Sequence, residues 1–72
     1  YASEYIQISE EGVASVTIPE SVKNYSIIMV YHNGKLLVKD LHYTIEDDVL
    51  TFIEFTAFKD DVFTFVGFGI VS

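Results

Sequence analysis

SIIMVYHNGKLLVKDLHYTIEDDVLTFIEF, residues 26–55, is the stretch whose reading decides the fold. It divides into three apolar β-segments separated by Asn33-Gly34 and by Asp47-Asp48. Asn-Gly between alternating hydrophobics is a strong hairpin signal, because a type I′ turn needs positive φ at both central residues. A two-residue turn at Asn33-Gly34 sets His32 opposite Lys35, Tyr31 opposite Leu36 and Val30 opposite Leu37. A turn at Asp47-Asp48 sets Ile45 opposite Leu50, Thr44 opposite Thr51 and Tyr43 opposite Phe52. Tyr43, Ile45, Leu50 and Phe52 then share the core face, and Thr44 and Thr51 face away.

Working outward, the same alternation recurs on both sides of the stretch. Glu4 to Ser9 places Ile6 and Ile8 on one face and Tyr5, Gln7 and Ser9 on the other. Glu10-Glu11-Gly12 makes a turn, and Val13 to Ile18 returns with Ala14, Val16 and Ile18 on a shared face. Pro19 has no N–H to donate, so the strand stops there. Glu20 to Asn24 is long enough to change sheets or cross an end. The return strand Leu36 to Ile45 loses its period near Lys39-Asp40, where a break is expected. Val49 to Phe55 and Val62 to Val71 complete six strands, with no convincing helix. The last strand is apolar on both faces: Phe63 and Phe65 on one, Val62, Val66, Phe68 and Ile70 on the other. Such a strand is central in a sandwich or lies against a partner. The expectation is a single all-β domain over residues 1–72, a small antiparallel β-sandwich or barrel of about six strands.

Composition narrows the function classes. At 72 residues the chain is near the lower size limit for independent folding, and such domains usually add disulfides, a metal or a partner subunit. It has no cysteine and only two histidines, which removes disulfides and thiolate sites and makes a structural zinc site unconvincing. Half of its residues are hydrophobic, yet the net charge is −7. A domain this small buries only about 60% of its unfolded-chain surface. Some apolar side chains must therefore lie exposed or be covered by a partner, and large exposed apolar patches mark interfaces. A pI near 4.4, four lysines and no arginine leave no basic footprint for nucleic acid or anionic membranes. No apolar run approaches the ~20 residues of a membrane-spanning helix. The start at Tyr1, without methionine or a signal-like segment, fits a processed product or a module of a longer protein.

Few residues invite chemistry. Glu10-Glu11, Glu46-Asp47-Asp48 and Asp60-Asp61 are acidic clusters at turns. A meander would bring Glu10-Glu11, Asn33 and Asp60-Asp61 to one end, where oxygen ligands could hold calcium or a carboxylate pair could serve a glycosidase. No D-x-D-x-D spacing supports the first, and turns favour Asp for backbone reasons; 72 residues leave little room for the second. His32 and His42 would lie ~23 Å apart on a continuous strand, and only a sharp break at Lys39-Asp40 would bring them together. A deep pocket holding either histidine beside a carboxylate would revive an enzymatic reading. No serine lies in a G-x-S-x-G motif, and Gly67-Phe68-Gly69 has no following helix to make a phosphate loop; a bulge or close packing contact is the simpler reading. Tyr1, Tyr5, Tyr25, Tyr31 and Tyr43 suit half-buried strand positions, an interface or a sugar-stacking platform.

Val30-Tyr31-His32-Asn33-Gly34-Lys35-Leu36-Leu37, then Asp40-Leu41-His42-Tyr43-Thr44-Ile45, then Val49-Leu50-Thr51-Phe52, carries one further signal. With Asp61-Val62-Phe63-Thr64-Phe65 as closing element, the pattern resembles a recurrent β module of tailed-phage virion proteins. Tail fibres and neck or head appendages often carry V-x-x-N-G-x-x-L, then D-Y-T-I, a strand, and D-x-V-x-V. The resemblance spans roughly residues 26 to 66. The chain departs from it by inserting Leu41-His42 before Tyr43 and by lacking proline and glycine before Asp61. It implies a virion location and a non-enzymatic structural role in assembly, without cofactor. The partners would be copies of the chain, often three, or other virion proteins. The residues expected at that interface are Ile27, Met29, Tyr31, Phe63, Phe65, Phe68 and Ile70. The alternative is a carbohydrate- or receptor-binding domain that uses exposed tyrosines.

Overall fold

The computed structural model describes all residues 1–72. Seven strands form two antiparallel sheets and there is no helix. In chain order they are β1 (Ala2–Gln7), β2 (Ser15–Thr17), β3 (Tyr25–His32), β4 (Lys35–Leu36), β5 (Tyr43–Glu46), β6 (Val49–Phe52) and β7 (Val62–Val71). One sheet has the order β1-β7-β3-β4 and the other β2-β6-β5. The fold is the expected small β-sandwich.

Both hairpins take the anticipated geometry. Asn33 and Gly34 have φ of 50° and 88°, and Asp47 and Asp48 have 51° and 65°, the positive pair that a type I′ turn requires. The register follows: His32 pairs with Lys35 and Tyr31 with Leu36, and Tyr43 pairs with Phe52, Thr44 with Thr51 and Ile45 with Leu50. β7 is central in its sheet, between β1 and β3. Pairs Glu4–Phe65 and Val30–Phe65 fix which side chains share its inner face. Near its end Gly69, at φ 92°, supplies an extra residue opposite Ser26, and the register shifts between Tyr25 and Ile27. This is the glycine bulge that a left-handed residue permits.

The expected single return strand from Leu36 to Ile45 divides in two, giving seven strands rather than six. β4 ends after Leu36 because Leu37, 7% exposed, turns into the core. Val38 then closes a tight turn: its carbonyl accepts from the amides of Leu41 (3.2 Å) and His42 (2.8 Å). Its own amide donates to Nδ1 of His42 at 2.8 Å, an imidazole taking the place of a strand partner. Asp40, at φ 69°, completes the break, and β5 joins the opposite sheet. The Glu20 to Asn24 connection also changes sheets, as its length allowed. It is pinned by Val22, which is fully buried; Lys23 Nζ lies 3.1 Å from Glu20 and 3.7 Å from Asp48 at the surface.

The core lies between the sheets. Val30, Phe63 and Phe65 face Val16, Tyr43, Leu50 and Phe52, and Ile8, Ile18, Val22, Leu37 and Ala57 close the ends. No buried side-chain polar atom lacks a partner. Burial raises the Tyr43 phenol above its ordinary range, with the nearby Asp40 carboxylate adding to the effect.

Candidate functional site

The two outer faces of the sandwich differ in kind. On the three-stranded sheet, the outward positions Ser15, Thr17, Thr44, Glu46, Val49 and Thr51 are mostly polar, the alternation of a sheet with one wet face. The four-stranded sheet is apolar on both faces. Its outward side chains fall into rows set by the pairing. Tyr5, Thr64, Tyr31 and Leu36 form one row across all four strands. Ser3, Val66 and Met29 form the next, Ile27 and Phe68 the third, and Gln7 and Val62 lie at the opposite end. None of these side chains is charged, although the chain carries eleven acidic residues.

Four of the seven expected interface residues, Ile27, Met29, Tyr31 and Phe68, lie on this face. Ile27 is 49% exposed and the other three are half-buried by their neighbours. Ile70 follows the bulge at the edge of the face and is 77% exposed. Phe63 and Phe65 are corrections to the expectation. Both are fully buried, because the alternation that turns Val66 and Phe68 outward turns these two into the space between the sheets. The tyrosines form no single platform: Tyr43 is in the core, Tyr25 packs against Gly67, and Tyr1 is 88% exposed near the chain start. Tyr5 and Tyr31 flank Thr64 from either side, about 9.6 Å apart at two strand spacings.

At the end of the sandwich marked by Asn33, a second group comes together. Asp61 Oδ2 accepts from the backbone amide of Phe58 at 2.9 Å and lies 2.9 Å from His32 Nε2, while Oδ1 accepts from the Asn33 amide at 3.1 Å. Asn33 returns the contact, its Oδ1 accepting from Val62 N–H at 2.8 Å. Ile8 and Asp60-Asp61 exchange backbone bonds of 2.7 and 2.8 Å. Asn33 and Asp60-Asp61 thus meet at one end, as expected, but through the pairing of β3 with β7 in a sheet that is not a meander, and Glu10-Glu11 makes no side-chain bond to them. The bond from the Phe58 amide, then those from His32 and Asn33, hold the Asp61 carboxyl down at about 2. No three His, Asp or Glu side chains gather as a metal-ligand group. His32 also stacks on Phe63, with ring centroids 4.5 Å apart at 5°, and on Phe55 at 5.6 Å; Phe52 completes the four-ring cluster.

The break after Leu37 has a consequence for the histidines. Instead of lying ~23 Å apart along one strand, His32 and His42 line the same open depression of about 320 Å³, with Lys35, Leu37, Phe55, Thr56 and Phe58. An imidazole oriented by a carboxylate is an ingredient of general acid–base catalysis. Here, however, Oδ2 of Asp61 takes two of the carboxylate's three bonds and Oδ1 one, from donors that tie the Asn33 turn to the 58–61 turn, which is the arrangement of a structural staple. The staple escaped the sequence reading because its partners are 29 residues apart. The signal within reach was the convergence of Asn33 and Asp61 at one end.

No known protein family, curated protein or solved structure matches this chain.

Proposed function

We propose that this chain is a non-enzymatic assembly module that self-associates through the outer face of its four-stranded sheet. The observation that carries the reading is the contrast of faces: an uncharged, aromatic-rich sheet face on a chain of net charge −7. Two acidic copies repel wherever carboxylates must approach or be desolvated. This face is where they meet without that cost, and aromatic, Met and aliphatic side chains are what interface centres use. Four strands at ~4.8 Å and at most about eight residues at ~3.3 Å give a patch no larger than roughly 19 by 26 Å, about 500 Å² in projection, the size of a small contact below the ~800 Å² per partner of a standard one. The resemblance of residues 26–66 to modules of phage tail fibres and appendages supports a virion location and a closed homo-oligomer, a trimer by preference, with the acidic turns keeping the outside soluble.

Light scattering over a range of concentrations tests this reading. The chain is expected to form one closed oligomer, and Val66→Lys, at the centre of the face, is expected to give a folded monomer with unchanged circular dichroism. A chain that stays monomeric up to ~1 mM, where even contacts of about −4 kcal/mol are half-formed, refutes it.

The Tyr5–Thr64–Tyr31 row favours a second reading, glycan or receptor recognition, since two aromatic faces with a hydroxyl between them suit a sugar. Its signature is saturable glycan binding lost in Tyr5→Ala and Tyr31→Ala while the oligomer persists.

A further inference from the structure

The depression beside β4 differs from the rest of the surface in what it offers. Its polar lining side chains are Lys35, His42, Thr56 and His32; no carboxylate is in the lining itself, and the one beside it, Asp61, is engaged by His32 Nε2 at 2.9 Å. The Lys35 ammonium makes no ion pair, whereas Lys23 is bound to Glu20 and Asp48. The tautomer of His42 follows from its one hydrogen bond. Nδ1 accepts the Val38 amide proton, so the neutral ring carries its own proton on Nε2, an N–H with no protein acceptor. The Thr56 side chain likewise has no protein partner. Three residues with donors of different kinds thus border one concavity, walled by Phe55, Phe58 and Leu37.

We propose that this depression binds a monocarboxylate carried on a ring-sized body. A carboxylate has two oxygens with about four acceptor sites, which an ammonium, an imidazole N–H and a hydroxyl can fill, the spare ammonium N–H facing water. A phosphate dianion is less well served. It asks for more donors than these three, commonly from a backbone nest or a helix start, and it is repelled twice as strongly by a chain of net charge −7. The apolar wall and a volume of about 320 Å³ suit a six-membered ring, which can be aromatic or the pyranose of a uronic acid. The depression opens on the inner side of β3 and β4, away from the uncharged sheet face. The inference therefore stands or falls independently of self-association.

The test is a titration of ¹⁵N-labelled chain, followed by amide and histidine-ring shifts, with benzoate and glucuronate as probes. Benzyl alcohol, glucose and inorganic phosphate serve as controls. At least one carboxylate is expected to give saturable shifts centred on Lys35, His42 and Thr56, with a Kd on the order of 1 mM, normal for a probe of nine to thirteen heavy atoms. Lys35→Gln, on an exposed two-residue strand, is expected to weaken it about tenfold, the worth of one charge-assisted contact. Lys39→Gln, outside the lining, is expected to leave it unchanged. Response to benzoate alone assigns an aromatic body; response to glucuronate alone assigns an acidic sugar. The proposal is overturned if the shifts never saturate, if the neutral analogues or phosphate bind as well, or if Lys39→Gln matters as much as Lys35→Gln.

Discussion

Asp61 shows how a single side chain at a turn can be misread. In the sequence it belongs to an acidic pair that could hold a cation. In the structure its neighbour Asp60 occupies a left-handed position at φ 74°, which Asp tolerates, and Asp61 itself accepts three hydrogen bonds. Its carboxyl is held at about 2, against an ordinary 3.8. A carboxyl whose folded pKa is depressed adds stability above its unfolded pKa, and that stability is lost as pH falls through the folded value. Urea unfolding is therefore expected to show wild-type stability declining from about pH 4 to about pH 2, with the decline flattened in Asp61→Asn. At neutral pH the same substitution is expected to cost about 1–3 kcal/mol, because an amide cannot accept from all three donors. An Asp61→Asn chain with the wild-type acid profile would show that the staple contributes nothing. Phe65 makes the corresponding case for the core. Fully buried, it is expected to cost about 3–5 kcal/mol when replaced by alanine, enough to unfold much of so small a domain. Phe68→Ala on the outer face is expected to weaken association and leave the melting temperature nearly unchanged.

At the level of elements, the turns were readable and the crossings were not. Asn33-Gly34 and Asp47-Asp48 carry their geometry in two residues each, so both hairpins and their pair lists could be written down from residues 26–55 alone. The splitting of Leu36 to Ile45 could be placed near Lys39-Asp40, but its outcome depends on Leu37 finding the core and His42 capping Val38, contacts that no local pattern announces. The shared pocket of His32 and His42 follows from that split and was illegible for the same reason. The two turns also differ in a testable way. Gly34 relieves a positive φ that Asp48 bears with a side chain, at a cost of roughly 1–2 kcal/mol in a left-handed residue. Asp48→Gly creates the favoured Asp-Gly turn and is expected to stabilise the chain by about 0.5–1 kcal/mol after the entropy of glycine is counted. The Lys23 contact it removes is long and exposed and worth little. Gly34→Ala is expected to destabilise by about 1–2 kcal/mol. Urea midpoints measure both, and equal and small shifts would mean that the turns do not hold the register.

For the whole molecule, the apolar surplus and the negative charge are two halves of one arrangement. β7 is apolar on both faces, although only the face with Phe63 and Phe65 is buried between the sheets. None of the outward side chains on the other, outer face of its sheet is charged. The proposed association through that outer face would oppose a short-range apolar attraction to a long-range repulsion between bodies of net charge −7. Salt separates the two terms. The screening length is about 10 Å at 0.1 M and about 3 Å at 1 M, so added salt removes the repulsion and leaves apolar burial intact. Association measured by sedimentation is expected to tighten severalfold between about 0.05 and 0.5 M sodium chloride. An interface built on ion pairs, using the lysines against the acidic turns, would loosen over the same range. Looser association at high salt would therefore move the contact off the uncharged sheet face and onto the charged ends of the sandwich.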